Sequence, residues 1–203
     1  MPDDACEDIL DATYRALCDE GYAALTMQDI ADRTDRSKAA LHYHFDSKRD
    51  LLLAFLEYLY GDFTDRVGDP PGETAPERLD ALVDRVLGPH REDPERRRAF
   101  GTALLELTAQ APYDEEVRER LAAFDAFLLE QARAIIADGV AEGSLRDVDP
   151  EETARFLVTA LDGARLERVS VGRDAEATGR AVRSYVRTHL VADDDAERGV
   201  ARQ

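Results

Sequence analysis

The sequence predicts an all-α protein of about nine helices: an N-terminal three-helix domain with a helix-turn-helix, then a larger helical body. Three observations carry this. Apolar residues recur every three to four positions through most of the chain. No stretch alternates convincingly with period two. The helical segments are separated by glycines, prolines and residues that cap helix ends.

The first helix is expected over about residues 4–20, with Ile9, Leu10, Thr13, Tyr14 and Leu17 on one face and Gly21 as its stop. Thr26-Met27-Gln28-Asp29 reads as a capping box in which Asp29 stands in for the usual glutamate, opening a second helix to about Thr34. Asp35-Arg36-Ser37 is a tight turn, and a short third helix covers about 38–44. Ser47 caps a fourth helix that runs to about Val67, with Asp50 at its third position.

Gly68-Asp69-Pro70-Pro71-Gly72 forces a loop. Thr74 and Glu77 form another capping box, opening a helix to about Leu87 that Gly88-Pro89 ends. Asp93-Pro94 starts the next, with proline at the first helical position, and Ala111-Pro112 breaks it. A long helix over about 114–142 ends at Gly143. Asp149-Pro150 caps a helix to about Val171, and a last helix covers about 174–191. The expected organisation is a helix-turn-helix domain at 1–50, a helical body at 51–192 joined to it within the fourth helix, and an acidic disordered tail at 193–203.

Composition narrows the function classes. No apolar run reaches the ~18 residues of a membrane span, and Met1-Pro2-Asp3-Asp4 lacks the basic-then-apolar order of a secretory signal. A soluble cytoplasmic protein without membrane partners is expected. Cys6 and Cys18 lie on one helix, about 18 Å apart at roughly 1.5 Å per residue, too far for a disulfide with each other. No His or Cys has convincing metal-ligand spacing, so neither metal nor cofactor is expected. An enzyme is not expected either: the chain has no glycine-rich phosphate loop and no nucleophile elbow. The acid pairs Glu115-Glu116 and Glu151-Glu152 sit at helix starts, where they oppose the helix dipole.

The net charge is −18, which at first opposes a nucleic-acid partner. The kind of charge matters more than its sum. Aspartate (26) exceeds glutamate (18), and two lysines stand against 24 arginines. Abundant aspartate with almost no lysine predicts a protein of a salt-in halophile, an archaeon, whose hydrated acidic surface keeps it soluble. A merely acidic protein of a GC-rich genome is the alternative.

Residues 26–49 break that pattern. They hold Arg33, Arg36, Lys38, Lys48 and Arg49 against four acids, so the segment is near +1 and the rest carries about −19. Both lysines of the chain fall inside it, the electrostatic footprint of a phosphate-facing surface. The same segment has the parts of a helix-turn-helix. Ala31 is small where two helices must cross, and Ile30 and Leu41 can meet beneath the turn. Leu25, Phe45 and Leu51 close the small core. Asp35 stands where glycine is usual, and aspartate tolerates the left-handed backbone expected there.

Leu25-Thr26-Met27-Gln28-Asp29-Ile30-Ala31, then Ser37 through Phe45, then Ser47-Lys48-Arg49-Asp50-Leu51-Leu52 form an ordered, specific set. Through it residues 9–55 resemble the N-terminal domain of the TetR family of transcriptional regulators. Length and helical make-up extend the likeness to the body. Two places depart from the family pattern: Thr34-Asp35-Arg36-Ser37 replaces Ala-Gly-Val-Ser in the turn, and His42 stands where tyrosine is usual, with Tyr43 beside it.

The resemblance implies a repressor that binds a palindromic double-stranded DNA operator as a homodimer and answers to a small-molecule effector. Thr26 and Lys48, at helix N-termini, are candidates for phosphate. Ser37 is expected to cap the third helix and touch backbone. Gln28, Arg36, Lys38 and Ala39 are candidates for base edges. His42 and Tyr43 are candidates for phosphate, while His44 is expected to pack beside Phe45. In the body, Phe55, Tyr58, Leu59, Phe63, Phe100, Leu104, Thr108, Phe124, Phe127 and Gln131 are candidates for the wall of an effector site. This mostly apolar set fits a hydrophobic or amphipathic effector. Phe156, Ala160, Gly163, Val182, Tyr185 and Val186 are candidates for a dimer interface between the last two helices of each subunit. A helical adaptor that keeps a degenerate helix-turn-helix is the competing reading, because Asp35 and Arg36 interrupt the turn.

Overall fold

The computed structural model describes residues 4–87 and 94–192. The breaks expected at Gly88-Pro89 and Asp93, and the tail at 193–203, lie outside the described residues. Those described form α1 (Asp4–Ala24), α2 (Met27–Ala31), α3 (Lys38–His44), α4 (Lys48–Val67), α5 (Ala75–Leu87), α6 (Pro94–Thr108), α7 (Glu115–Glu142), α8 (Pro150–Ser170) and α9 (Ala175–Tyr185). One π turn, Val186–Leu190, continues α9. Among the described residues the only β pairing is an isolated bridge between Leu145 and Val191. None of their helices is long and apolar enough to cross a membrane.

The caps form where the residue types demand. Thr26 Oγ1 accepts from the Asp29 amide at 3.3 Å while Asp29 Oδ2 accepts from the Thr26 amide at 2.8 Å. Ser37, Ser47, Thr74 and Asp149 likewise accept from first-turn amides of α3, α4, α5 and α8. Gly21 (φ 73°) breaks the helical backbone inside α1, and a final short turn carries on to Ala24. Gly143 (φ 76°) follows the last residue of α7. Two boundaries differ from expectation. α2 stops at Ala31 rather than Thr34, because the Thr34 side chain turns back onto the Ala31 carbonyl and accepts from the Arg36 amide. The regular part of α9 stops at Tyr185, where the π turn begins.

The chain divides into two compact units. The first gathers α1–α3, α4 to Asp65, α6 and α7 to Asp125. Its core holds Ile9, Leu10, Leu17, Leu25, Ile30, Leu41, Leu51 and Phe55, all nearly inaccessible, with Ala103 of α6. A smaller cluster joins Leu53, Leu56, Leu107 and Val117. The second unit takes α4 from Arg66, α5, α7 from Ala126, α8 and α9. There α5 packs on both α8 and α9. Arg85 donates to the carbonyls of Gly68 and Asp69 at 2.5 and 3.0 Å, which holds the loop before α5.

Candidate nucleic-acid interface

The helix-turn-helix forms from α2, the turn 32–37 and α3. Ile30 and Leu41 are both fully buried in the first core, Ala31 is buried beside them, and Leu25, Phe45 and Leu51 complete the packing. This burial fixes which faces of the short helices remain outside. On α3 those are Lys38, Ala39, His42 and Tyr43, all exposed and at helical spacing on one side. Tyr43 is 86 % exposed, far beyond what a packing role requires. Thr26 and Gln28 are also exposed at the start of α2. The face therefore presents hydrogen-bonding and cationic groups on a helix of a size to enter a major groove.

Carboxylates engage much of the positive charge counted in this segment. Arg33 donates to Asp19 (3.1 Å) and Glu20 (2.8 Å) of α1 and to the Asp29 carbonyl (2.7 Å), so it ties α2 to α1. Arg36 Nη2 reaches Asp8 Oδ2 of α1 at 3.2 Å. Arg49 holds Asp114 through two nitrogens at 2.6 and 2.8 Å, and Glu116 at 3.0 Å. These bonds, to Asp114 first, hold the guanidinium above its ordinary pKa. Gln28 Nε2 donates to Asp32 Oδ1 at 2.7 Å. Lys38 is exposed and in no ion pair among the described residues.

Lys48 is half-buried. Its Nζ donates to the Tyr22 carbonyl at 2.8 Å and lies 4.9 Å from the Tyr22 ring centre. Burial pushes its pKa down, opposed by the charge of Asp29. The Tyr22 amide in turn donates to Glu106 Oε2 of α6 at 2.7 Å. Only the three-dimensional structure brings Asp8, Tyr22 and Glu106 to this region; each lies far in sequence from its partner.

Two expectations for this face need correction. Asp35 does not adopt the left-handed backbone: Asp69 is the non-glycine residue with positive φ among those described. The Thr34 hydroxyl shapes the turn instead, with no positive φ required. His44 is exposed rather than packed, its ring centre 6.4 Å from that of Phe45 and 5.3 Å from Tyr43.

The body candidates fall in different places. Phe55 is 1 % exposed, within the first core, and meets Phe100 edge-on at 6.4 Å. Tyr58 and Leu59 pack partly buried against the same core, with the Tyr58 hydroxyl on Asp11 at 3.1 Å. Phe63 and Phe124 touch at 5.3 Å, and Tyr60, which the sequence reading did not single out, joins Phe124 at the same separation. Leu104 packs against the smaller cluster. Thr108 is exposed, its hydroxyl bonded back to the Leu104 carbonyl. In the second unit, Phe127 and Gln131 are partly buried on α7. A cleft of about 150 Å³ in the first unit is lined by Leu56, Glu57, Tyr60, Glu119, Arg120 and Ala123.

On α8, Phe156 is exposed, and Ala160 and Gly163 follow it along one stripe. A side chain added at Gly163 would meet nothing within 4 Å. Phe156 contacts Tyr185 of α9 at 5.0 Å, and His189 stacks on Tyr185 at 5.1 Å. Val182 and Val186 do not share this open face. They are 5 % and 1 % exposed, because that side of α9 packs against the chain's own α5 and α8.

Comparison with known proteins gives consistent results. Residues 9–55 match the family described as "Bacterial regulatory proteins, tetR family", and residues 75–192 match "BetI-type transcriptional repressor, C-terminal". The repressor AcnR of Corynebacterium glutamicum is 28 % identical over 86 % of this chain and 87 % of its own. The regulator BetI of Rhizobium meliloti is 28 % identical over 93 % and 91 %. A TetR transcription regulator of Haloarcula marismortui superposes with a TM-score of 0.85 at 39 % identity, over 92 % of this chain and 98 % of that one. A regulator of Saccharomonospora viridis, crystallised with choline, shares the fold at TM-score 0.78 and 24 % identity, over 93 % and 98 %. These relatives are regulators of transcription, not enzymes.

Proposed function

The chain belongs to the TetR family of transcriptional regulators, and from that premise we propose that it is a ligand-responsive repressor that binds a palindromic operator as a homodimer in the cytoplasm. One observation supports this most: Lys38, Ala39, His42 and Tyr43 share an exposed face of α3, above a core that buries Ile30 of α2 and Leu41 of α3 together. In this reading Thr26, Ser37 and Lys48 meet phosphates. Lys38 and Ala39 meet base edges, Gln28 and Arg36 join them once they leave their carboxylates, and His42 and Tyr43 flank the groove. Residues 1–50 act as the DNA-binding domain and 51–192 as the effector and dimer domain.

Pairing is proposed through the open stripe Phe156, Ala160 and Gly163 with Tyr185, since one helix-turn-helix reads only a half-site. The effector is proposed to be hydrophobic or amphipathic. The choline bound by the Saccharomonospora neighbour is a small amphipathic cation, and the partly exposed rings of Tyr60 and Phe124, backed by the buried Phe63, are of the kind such a cation prefers. Binding couples to DNA only by the effector's differential affinity for two states of the body.

A halophilic host is also proposed, from the excess of aspartate over lysine and the Haloarcula neighbour. Selection of duplexes from a random-sequence pool, repeated at low and molar KCl, tests the reading. A palindrome should be enriched, and the fold should gain stability with KCl. No enrichment at any salt favours the adaptor, and a fold indifferent to KCl removes the halophilic host.

A further inference from the structure

Asp8 lies on α1, outside the helix-turn-helix, yet its Oδ2 is 3.2 Å from Nη2 of Arg36 in the turn before α3. The Arg36 side chain is 34 % exposed and that of Asp8 67 %, so both ends of the pair can be reached from solvent. Of the turn's two arginines, Arg33 is held by Asp19 and Glu20, while Arg36 adjoins Ser37, the cap of α3. Any anion that approaches this turn meets a guanidinium that already holds a carboxylate. Of the turn's own acids, Asp32 accepts from Gln28, and Asp35 is exposed and in no ion pair among the described residues.

We infer that Asp8 is a positioning residue for Arg36: it holds the guanidinium in the free protein and competes with DNA for it, which lowers both the affinity and the salt sensitivity of DNA binding. The inference rests on the DNA-binding reading above. The physical reason is an exchange of partners. On a duplex of no chosen sequence Arg36 has no preferred base edge to read and faces the phosphates. A cation that neutralises one phosphate releases about one counterion, worth a slope of about −0.9 in log K against log salt. When Arg36 leaves Asp8 for DNA, the freed carboxylate gathers solvent cations again, and part of that release is cancelled. Neutralising Asp8 restores it. Near-molar salt shortens the Debye length to about 3 Å, so the pair and its competition fade together.

The experiment measures binding of the full chain to a labelled random-sequence duplex, from about 0.1 M to about 2 M KCl. Wild type is compared with Asp8→Asn, Asp8→Glu, Asp35→Asn, Arg36→Ala and the double variant Asp8→Asn/Arg36→Ala. At the low-salt end Asp8→Asn should bind about two- to fivefold more tightly, the range spanned by an exposed ion pair. Its salt slope should be steeper by up to about 0.9, and the difference should close near molar salt. Asp8→Glu should stay near wild type. Asp35→Asn should gain less, and Asp8→Asn should gain nothing on the Arg36→Ala background. A gain that persists without Arg36, or an equal gain from Asp35→Asn, means bulk charge and overturns the inference. So does an unchanged Asp8→Asn, while the DNA-binding reading survives. If wild type binds no duplex at any salt, that reading falls and this inference falls with it.

Discussion

Lys48 Nζ donates a 2.8 Å hydrogen bond to the carbonyl of Tyr22, and so fastens the start of α4 to the end of α1. An ammonium has three donors, so this bond leaves others for a phosphate. Lys48→Gln should therefore weaken binding to all duplexes alike and reduce the salt slope by about 1. Lys38→Gln should instead change which sequences are enriched, with about 1–3 kcal/mol lost at the position it reads. Selection and titration with both variants check the division of roles.

The capping box of α2 is open to a direct test. Thr26→Ala removes the acceptor of the Asp29 amide and should cost about 1 kcal/mol. For a chain of this size that is roughly 2–4 °C in Tm. Thr26→Ser should hold the wild-type Tm, since the hydroxyl oxygen is what accepts.

Gly139 lies inside α7, where alanine would ordinarily gain about 1 kcal/mol of helix propensity. Here a Cβ would stand 2.5 Å from that of Ala75 and 2.7 Å from Leu145 Cδ1. Overpacking of this kind costs about 1–3 kcal/mol, and the nearest atom is a stub that cannot swing away. Gly139→Ala should lower Tm, and a rise would show that α5 yields easily.

Asp114 is held below the ordinary carboxylate range, by its bond from Arg49 first and by the Val117 and Glu116 amides as well. A carboxyl depressed in the folded state stabilises it above the unfolded pKa, and loses that contribution as pH falls through the folded value. Asp114→Asn should thus lower Tm at neutral pH. The gap to wild type should shrink as pH drops below the ordinary carboxylate range. Melting curves across a pH series read this difference.

The dimer proposal makes its own demand. Gly163→Arg fills a face that is open in the single chain, so it should leave the Tm of the isolated subunit nearly unchanged and block close approach of a second copy. Sedimentation should shift from dimer to monomer, and operator binding should fall with it. Retention of the dimer would move the interface elsewhere.

Local chemistry explains why much of the fold was legible beforehand. Threonine, serine and aspartate caps, glycine stops and proline breaks act within a few residues, so Thr26, Ser47, Thr74, Asp149 and Gly143 mark their helix ends wherever the chain folds. The Ile30 and Leu41 pair was legible for the same reason, because one short turn separates two apolar faces. Asp35 departs from the expected left-handed backbone because its residue type admits that conformation without requiring it, and the neighbouring Thr34 hydroxyl offers another solution.

The sequence by itself determined the helices, their caps, the helix-turn-helix and the near-neutral island around it in an acidic chain. Only the tertiary structure decided which of that island's charges are free to act. Arg33, Arg36 and Arg49 find carboxylates on α1 and α7, and Lys48 finds the carbonyl of Tyr22. Counting charges along a segment cannot reveal this, because ion pairs form across the packing of distant helices. The same holds for α8 and α9: periodicity places Val182, Val186 and Tyr185 on a helix, but packing against α5 buries the valines. Phe156, Ala160 and Gly163 remain on the open face of α8.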